Sequence, residues 1–172
     1  MTPEGHRRLI LTRHAKSDWD DAALPDHDRP LKARGRRAAA ELGEWLASRD
    51  YLPDEVLSSD AVRTRQTWEA LAPALPAAPQ PHWLPQLYQA GPAGMLAALR
   101  RATGRTVMMI GHNPGIAAFA AMLPARPPAD PDFERFPTAA TLIVDFQIDD
   151  WGAAEPGQGS AMDFFVPSER GG

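Results

Sequence analysis

The chain has 172 residues, of which 44% are apolar and 23% charged, and it contains no cysteine. Disulfides and thiolate metal sites are therefore excluded. A formal net charge of -4 and a pI of about 5.7 exclude the broad basic surface of a general nucleic-acid binder. The length suits one domain spanning residues 1–172. The start, MTPEGHRRLILTRH, offers too short an apolar run for a signal peptide or a spanning helix, so a cytoplasmic location without membrane association is expected.

In chain order, Leu9–Thr12 reads as a short buried strand that ends abruptly in charge. Residues 15–31 are polar and rich in Asp and form a loop. From Lys32 to Ser48 the apolar positions Ala38, Leu42, Trp45 and Leu46 recur at helical spacing. Val56–Ser58 is a second strand, followed by a helix to Leu71 with Asp60 as its N-cap. The proline-rich stretch 73–85 is a connection with a short extended piece near Trp83. Gly91 and Pro92 open a helix that carries Met95, Leu96 and Leu99 on one face. Thr106–Ile110 is the clearest strand, and Asn113 caps the next helix, with Pro114 at its first position and Met122 near its end. Residues 124–132 form a surface loop. Thr141–Phe146 and Met162–Val166 pair as a hairpin, and the final SERGG frays. This alternation predicts an α/β fold, with a mainly parallel central sheet covered by helices on both faces.

Ligands of open α/β sheets bind beyond the carboxyl ends of the strands. Arg13 and His14 follow the first predicted strand. Ser58, Ser59 and, one turn on, Arg63 follow the second, and Gly111 and His112 follow the third strong one. Two arginines and two histidines on one rim suit a dianion, because guanidinium forks match phosphate oxygens in paired hydrogen bonds. An electropositive rim also calls for a protonated or donating His112. A further basic cluster, Arg34, Arg36 and Arg37, reads as a solvated helix face. His6, His27 and His82 read as surface residues without metal-ligand spacing.

Residues LTRHAKSDW resemble a variant of the Arg-His-Gly signature of the histidine phosphatase superfamily, the Arg-His-Ala-Lys-Ser form of a SixA-like bacterial subgroup. SSDAVRTRQT resembles the second block of that family and GHNPG the third, while DRPLKARG at 28–35 matches the connection after the first block. The similarity runs from about residue 8 to about residue 146. It implies the phosphoglycerate mutase-like fold, with His14 attacking phosphorus and Arg13, Arg63 and His112 holding the phosphoryl oxygens. A phosphohistidine intermediate forms and is hydrolysed by water, and neither metal nor cofactor is required.

Many relatives place a glutamate where this chain has LPQLYQAG, and neither Gln86 nor Gln89 can give up a proton. Asp18 is then the candidate acid, or the substrate needs none, as when imidazole leaves from a phosphorus–nitrogen bond. Lys16 and Ser17 are candidate substrate contacts, and Trp19 and Tyr88 candidates for the mouth of the site. The expected partner is a phosphorylated protein or a small phosphorylated substrate. The leading expectation is a phosphatase of protein phosphohistidine. The alternatives are a phosphatase of small phosphate esters and a non-catalytic phosphate-binding module.

Overall fold

The computed structural model describes residues 5–168. Six strands, β1 (Arg7–Arg13), β2 (Glu55–Ser59), β3 (His82–Leu84), β4 (Thr106–Gly111), β5 (Thr141–Phe146) and β6 (Ser160–Phe165), form one sheet in the order β3-β2-β4-β1-β5-β6. The first four run parallel, whereas β5 is antiparallel to β1 and β6 to β5. β1 therefore sits between β4 and β5, and its carboxyl end lies beside that of β4, where Arg13 pairs in register with Gly111.

Strand side chains alternate between the two faces, and each face carries its own core. Leu9, Leu11, Val107 and Met109 point to one side, where helices α3 (Pro92–Arg100) and α4 (Gly115–Met122) lay Met95, Leu99, Ile116 and Phe119 over them. Ile10, Val56, Met108 and Ile110 point to the other, covered by Leu42 and Leu46 of α1 (Ala33–Ser48) and by Trp68 and Leu71 of α2 (Val62–Leu71). Each such side chain buried in full contributes about 1.5–3 kcal/mol. The central strands are apolar on both faces, as expected for a sheet with helices on both sides.

Several boundaries differ from the sequence reading. β1 extends to Arg7 and Arg13 because both flanking strands hydrogen-bond to it along its length. β6 starts at Ser160 and ends at Phe165, earlier at both ends than expected, pairing from Asp145 opposite Ser160 to Thr141 opposite Phe165. Asp60 does not cap α2. The N-cap is Ala61, without a side-chain bond, and the Asp60 carboxylate instead lies 2.9 Å from His27 Nε2. Pro114 is the N-cap of α4, not its first residue, but Asn113 Oδ1 still accepts from the Ala117 N–H at 3.2 Å. The loop 15–31 contains one turn of 3-10 helix at Asp26–Asp28. Residues 169–172 of the segment expected to fray lie outside the described residues.

Candidate active site

The carboxyl ends of β1, β2 and β4 meet at a cavity of about 220 Å³ that exposes Arg13, His14, Arg63 and His112. His14 is the first residue beyond β1. Its backbone N–H donates to the Gly111 carbonyl, and its ring lies 5.2 Å from that of His112. Within the side chain, Nδ1 lies 2.7 Å from the Ala15 carbonyl. A carbonyl only accepts, so Nδ1 carries the proton and Nε2 keeps its lone pair. Burial pushes the His14 pKa down to about 3, assisted by His112, Arg63 and Arg13 and opposed only by the Ala15 bond. The imidazole is neutral at physiological pH, as a nucleophile must be.

His112 is also neutral, its pKa lowered to about 4 by burial first and Arg63 second. The expectation of a protonated His112 is corrected on this ground, because positive neighbours oppose a second proton. Its donating role survives by another route. Ser59 Oγ accepts from the Ala61 N–H and lies 2.8 Å from His112 Nε2. A hydroxyl that donates to Nε2 places the imidazole proton on Nδ1. That Nδ1 is buried without a partner, and so is Arg13 Nε. Buried donors of this kind are rare unless a ligand satisfies them. Arg13 is itself lowered by burial and by the charge of Arg63. Two mutually repelling guanidiniums and an unpartnered N–H in one cavity favour an oxyanion.

Arg63, in the first turn of α2, is almost fully buried. Its Nη1 donates to the Asp26 carbonyl at 2.7 Å and its Nη2 to Asp26 Oδ2 at 3.0 Å. The Tyr88 hydroxyl donates to the same carboxylate. Tyr88 first, and then Arg63, hold the Asp26 carboxyl below the usual carboxylate range, although its side chain stays 47% exposed. Asp26, Arg63, Tyr88 and His112 line a second cavity of about 610 Å³ that opens beside the first.

Of the further candidates, Lys16, Ser17 and Trp19 line the nucleophile cavity. Ser17 Oγ accepts from Trp19 Nε1 at 3.0 Å, and the exposed Trp19 ring stacks on the Arg29 guanidinium at 4.1 Å. Tyr88 does not line that cavity but the larger one, where its ring packs edge-on against His112 at 5.4 Å. Asp18 is not brought to the cavity. Its carboxylate accepts from the Asp20 N–H at 2.8 Å, closing a local turn. Gln89 lines the larger cavity, while Gln86 is exposed outside it. His27 is less of a bystander than expected, since it pairs with Asp60 and packs edge-on against Tyr88. The residue missed from sequence is Asp26. It stands in a loop with five other aspartates or histidines within nine positions, where composition cannot single it out. Its place two residues before the DRPLKARG segment was the available signal.

A neutral histidine ringed by two arginines and a donating histidine, at the carboxyl ends of parallel strands, defines an α/β oxyanion site. The chain belongs to the histidine phosphatase superfamily (branch 1), whose family model matches residues 9–88. It resembles a protein described as a putative phosphohistidine phosphatase SixA from Nakamurella multipartitia, at 29% identity and a TM-score of 0.79, over 96% of this chain and 98% of that one. It also resembles the protein histidine phosphatase SixA complexed with tungstate, at 25% identity and a TM-score of 0.72, over 93% and 97%. Among curated relatives, an uncharacterised Mycobacterium tuberculosis protein is 33% identical over 90% of this chain and 99% of its own length. An uncharacterised chloroplastic protein of Arabidopsis thaliana is 40% identical over 68% of this chain, which matches 59% of that protein's length. These likenesses support phosphatase activity.

Proposed function

We propose that the protein is a phosphatase that removes the phosphoryl group from protein phosphohistidine, with His14 as nucleophile. The observation that carries this reading is the pairing of a neutral His14, its Nε2 lone pair free, with the unpartnered donors Arg13 Nε and His112 Nδ1. His14 Nε2 attacks phosphorus, while Arg13, Arg63 and His112 hold the three oxygens and stabilise the charge that spreads over them in the transition state. The nitrogen–phosphorus bond to the substrate breaks as the one to His14 forms, and the leaving imidazole takes a proton. Water then hydrolyses the phosphohistidine on His14 to inorganic phosphate. This chemistry calls on no metal or cofactor.

Asp26 takes the role that Asp18 cannot reach. It is ionised beside Arg63, but a phosphoryl dianion bound to Arg63 places like charge next to it and raises its affinity for a proton. It then stands at the mouth as an acid for a leaving group. This favours a second reading, hydrolysis of small phosphate esters, because an alkoxide needs such an acid and the 610 Å³ cavity has room for one. The test compares kcat/KM on a phosphohistidine protein and on a panel of alkyl phosphates. Preference for the phosphohistidine protein supports the first reading, and preference for an alkyl ester replaces it with the second. No helix of the described residues is long and apolar enough to cross a membrane.

A further inference from the structure

The basic cluster at the start of α1 faces solvent at Arg36 and Arg37, and two of its members border a recess. Arg34 and Arg37 line a recess of about 190 Å³ together with Lys16, Thr138 and Glu41. Lys16 and Thr138 also line the nucleophile cavity, so the recess and the catalytic cavity share a wall. None of the three cations has a hydrogen bond or ion pair from its side chain among the described residues. Arg37 and Glu41 stand four residues apart, the spacing of a helical ion pair, yet Glu41 Oε2 accepts from the Ser168 N–H at 3.1 Å and no salt bridge joins it to Arg37. The sequence also places these arginines where local electrostatics oppose them. The first turn of α1 has no acidic residue and no side-chain cap, so cations sit at the positive end of the helix dipole.

The backbone beneath the recess is closely packed. An ideal Cβ on Gly35 would fall 2.2 Å from the Lys16 carbonyl oxygen, so α1 is pressed directly onto the backbone two residues beyond the nucleophile. The Lys32 N–H donates to that same carbonyl at 2.9 Å. The start of α1, which carries Arg34 and Arg37, is thereby fixed beside Lys16.

Resting on the phosphatase reading above, we propose that the Lys16–Arg34–Arg37 recess receives an acidic side chain of the phosphorylated protein while its phosphohistidine occupies the neighbouring cavity. The chemistry asks for a carboxylate, since three cations without a side-chain partner among the described residues line the recess against one carboxylate. The layout asks for a protein. The recess shares no lining residue with the larger cavity of Asp26 and Tyr88, so the two lie along different edges of the nucleophile cavity. A small substrate with its leaving group over Asp26 extends away from the recess, whereas a protein surface laid across the mouth covers both.

The test uses the full chain and two synthetic peptides with one phosphohistidine each, identical except for Glu or Gln on either side of it. Wild type should show kcat/KM higher for the Glu peptide by about tenfold at low salt, the scale expected of a few exposed charge pairs acting together. The preference should fade as salt is added. The double variant Arg34→Glu/Arg37→Glu should lose or invert it, with kcat/KM for p-nitrophenyl phosphate unchanged within about twofold, because neither residue touches the catalytic cavity. Its thermal stability should not fall, since glutamates suit a helix N-terminus better than arginines. Equal hydrolysis of both peptides by wild type, or a preference that survives charge reversal, overturns the proposal. So does an Arg34- and Arg37-dependent gain for a small bisphosphate over its monophosphate without any gain for the Glu peptide. If wild type hydrolyses neither p-nitrophenyl phosphate nor either peptide, the phosphatase reading itself fails, and the docking proposal with it.

Discussion

Burial keeps His14 and His112 neutral, and that neutrality has a cost in acid. Their folded pKa values, about 3 and about 4, lie below the 6.5 of an unperturbed histidine. The unfolded chain therefore takes up these protons first, so stability is full above pH 6.5 and drains away as pH falls toward the folded values. At about pH 5 each histidine costs roughly 2 kcal/mol. Urea unfolding at pH 7 and pH 5 should show this loss, and His14→Asn should show about half of it. An equal loss in wild type and variant would mean that other groups set the acid limit. Arg63→Ala should lower turnover by more than about 10², the effect of removing one transition-state donor. Arg63→Lys should recover only part, because an ammonium cannot hold Asp26 and a phosphoryl oxygen through one fork. Full recovery would show that charge alone matters there. For the acid, Asp26→Asn should slow alkyl phosphates by roughly 10²–10⁴ and barely touch phosphohistidine. Asp18→Asn should change neither. A uniform loss across leaving groups in Asp26→Asn would make that carboxylate a positioning group for Arg63.

Elements meet through glycine at the site's supports. Gly35 of α1 touches the Lys16 backbone, and Gly115, at the start of α4, comes as close to the Ala90 carbonyl, 2.0 Å from an ideal Cβ. Gly35→Ala should destabilise by more than about 2 kcal/mol and lower kcat as well, because relief of the clash moves the segment that carries His14. Gly94, inside α3, is the control. Its Cβ would meet only the Ala90 methyl at 3.5 Å. Gly94→Ala should be neutral or stabilise by about 0.5–1 kcal/mol with activity unchanged. Melting curves and steady-state rates for both variants check the contrast, and a tolerated Gly35→Ala would show that the contact is soft. Most of the elements themselves were legible. Helical spacing marked α1, Gly91–Pro92 the start of α3, and an apolar run β4. Helix starts at Asp60 and Asn113 were each misplaced by one residue, because a side chain of capping type was free to find another partner. Asp60 found His27, and Asn113 bonded one turn further along.

Across the whole molecule, the site is a product of topology. Arg13 and His14, Ser59 and Arg63, and His112 lie far apart in the chain, yet β1, β2 and β4 run parallel side by side and deliver them to one edge. That juxtaposition was legible because strand ends can be read from apolar runs ending in charge. Asp26 was not, since a loop position is set by contacts with Arg63 and Tyr88 that no periodicity announces. Nor was the neutrality of His112, which depends on how deeply burial and Arg63 act on it. The central claim is that His14 becomes phosphorylated during turnover. Rapid acid-free quenching of the wild-type protein with ³²P-labelled substrate measures it directly. One phosphoryl group should appear on His14, labile to acid and stable to base, and none on His14→Ala. Absence of a labelled enzyme in wild type at every quench time, or undiminished turnover by His14→Ala, would contradict it.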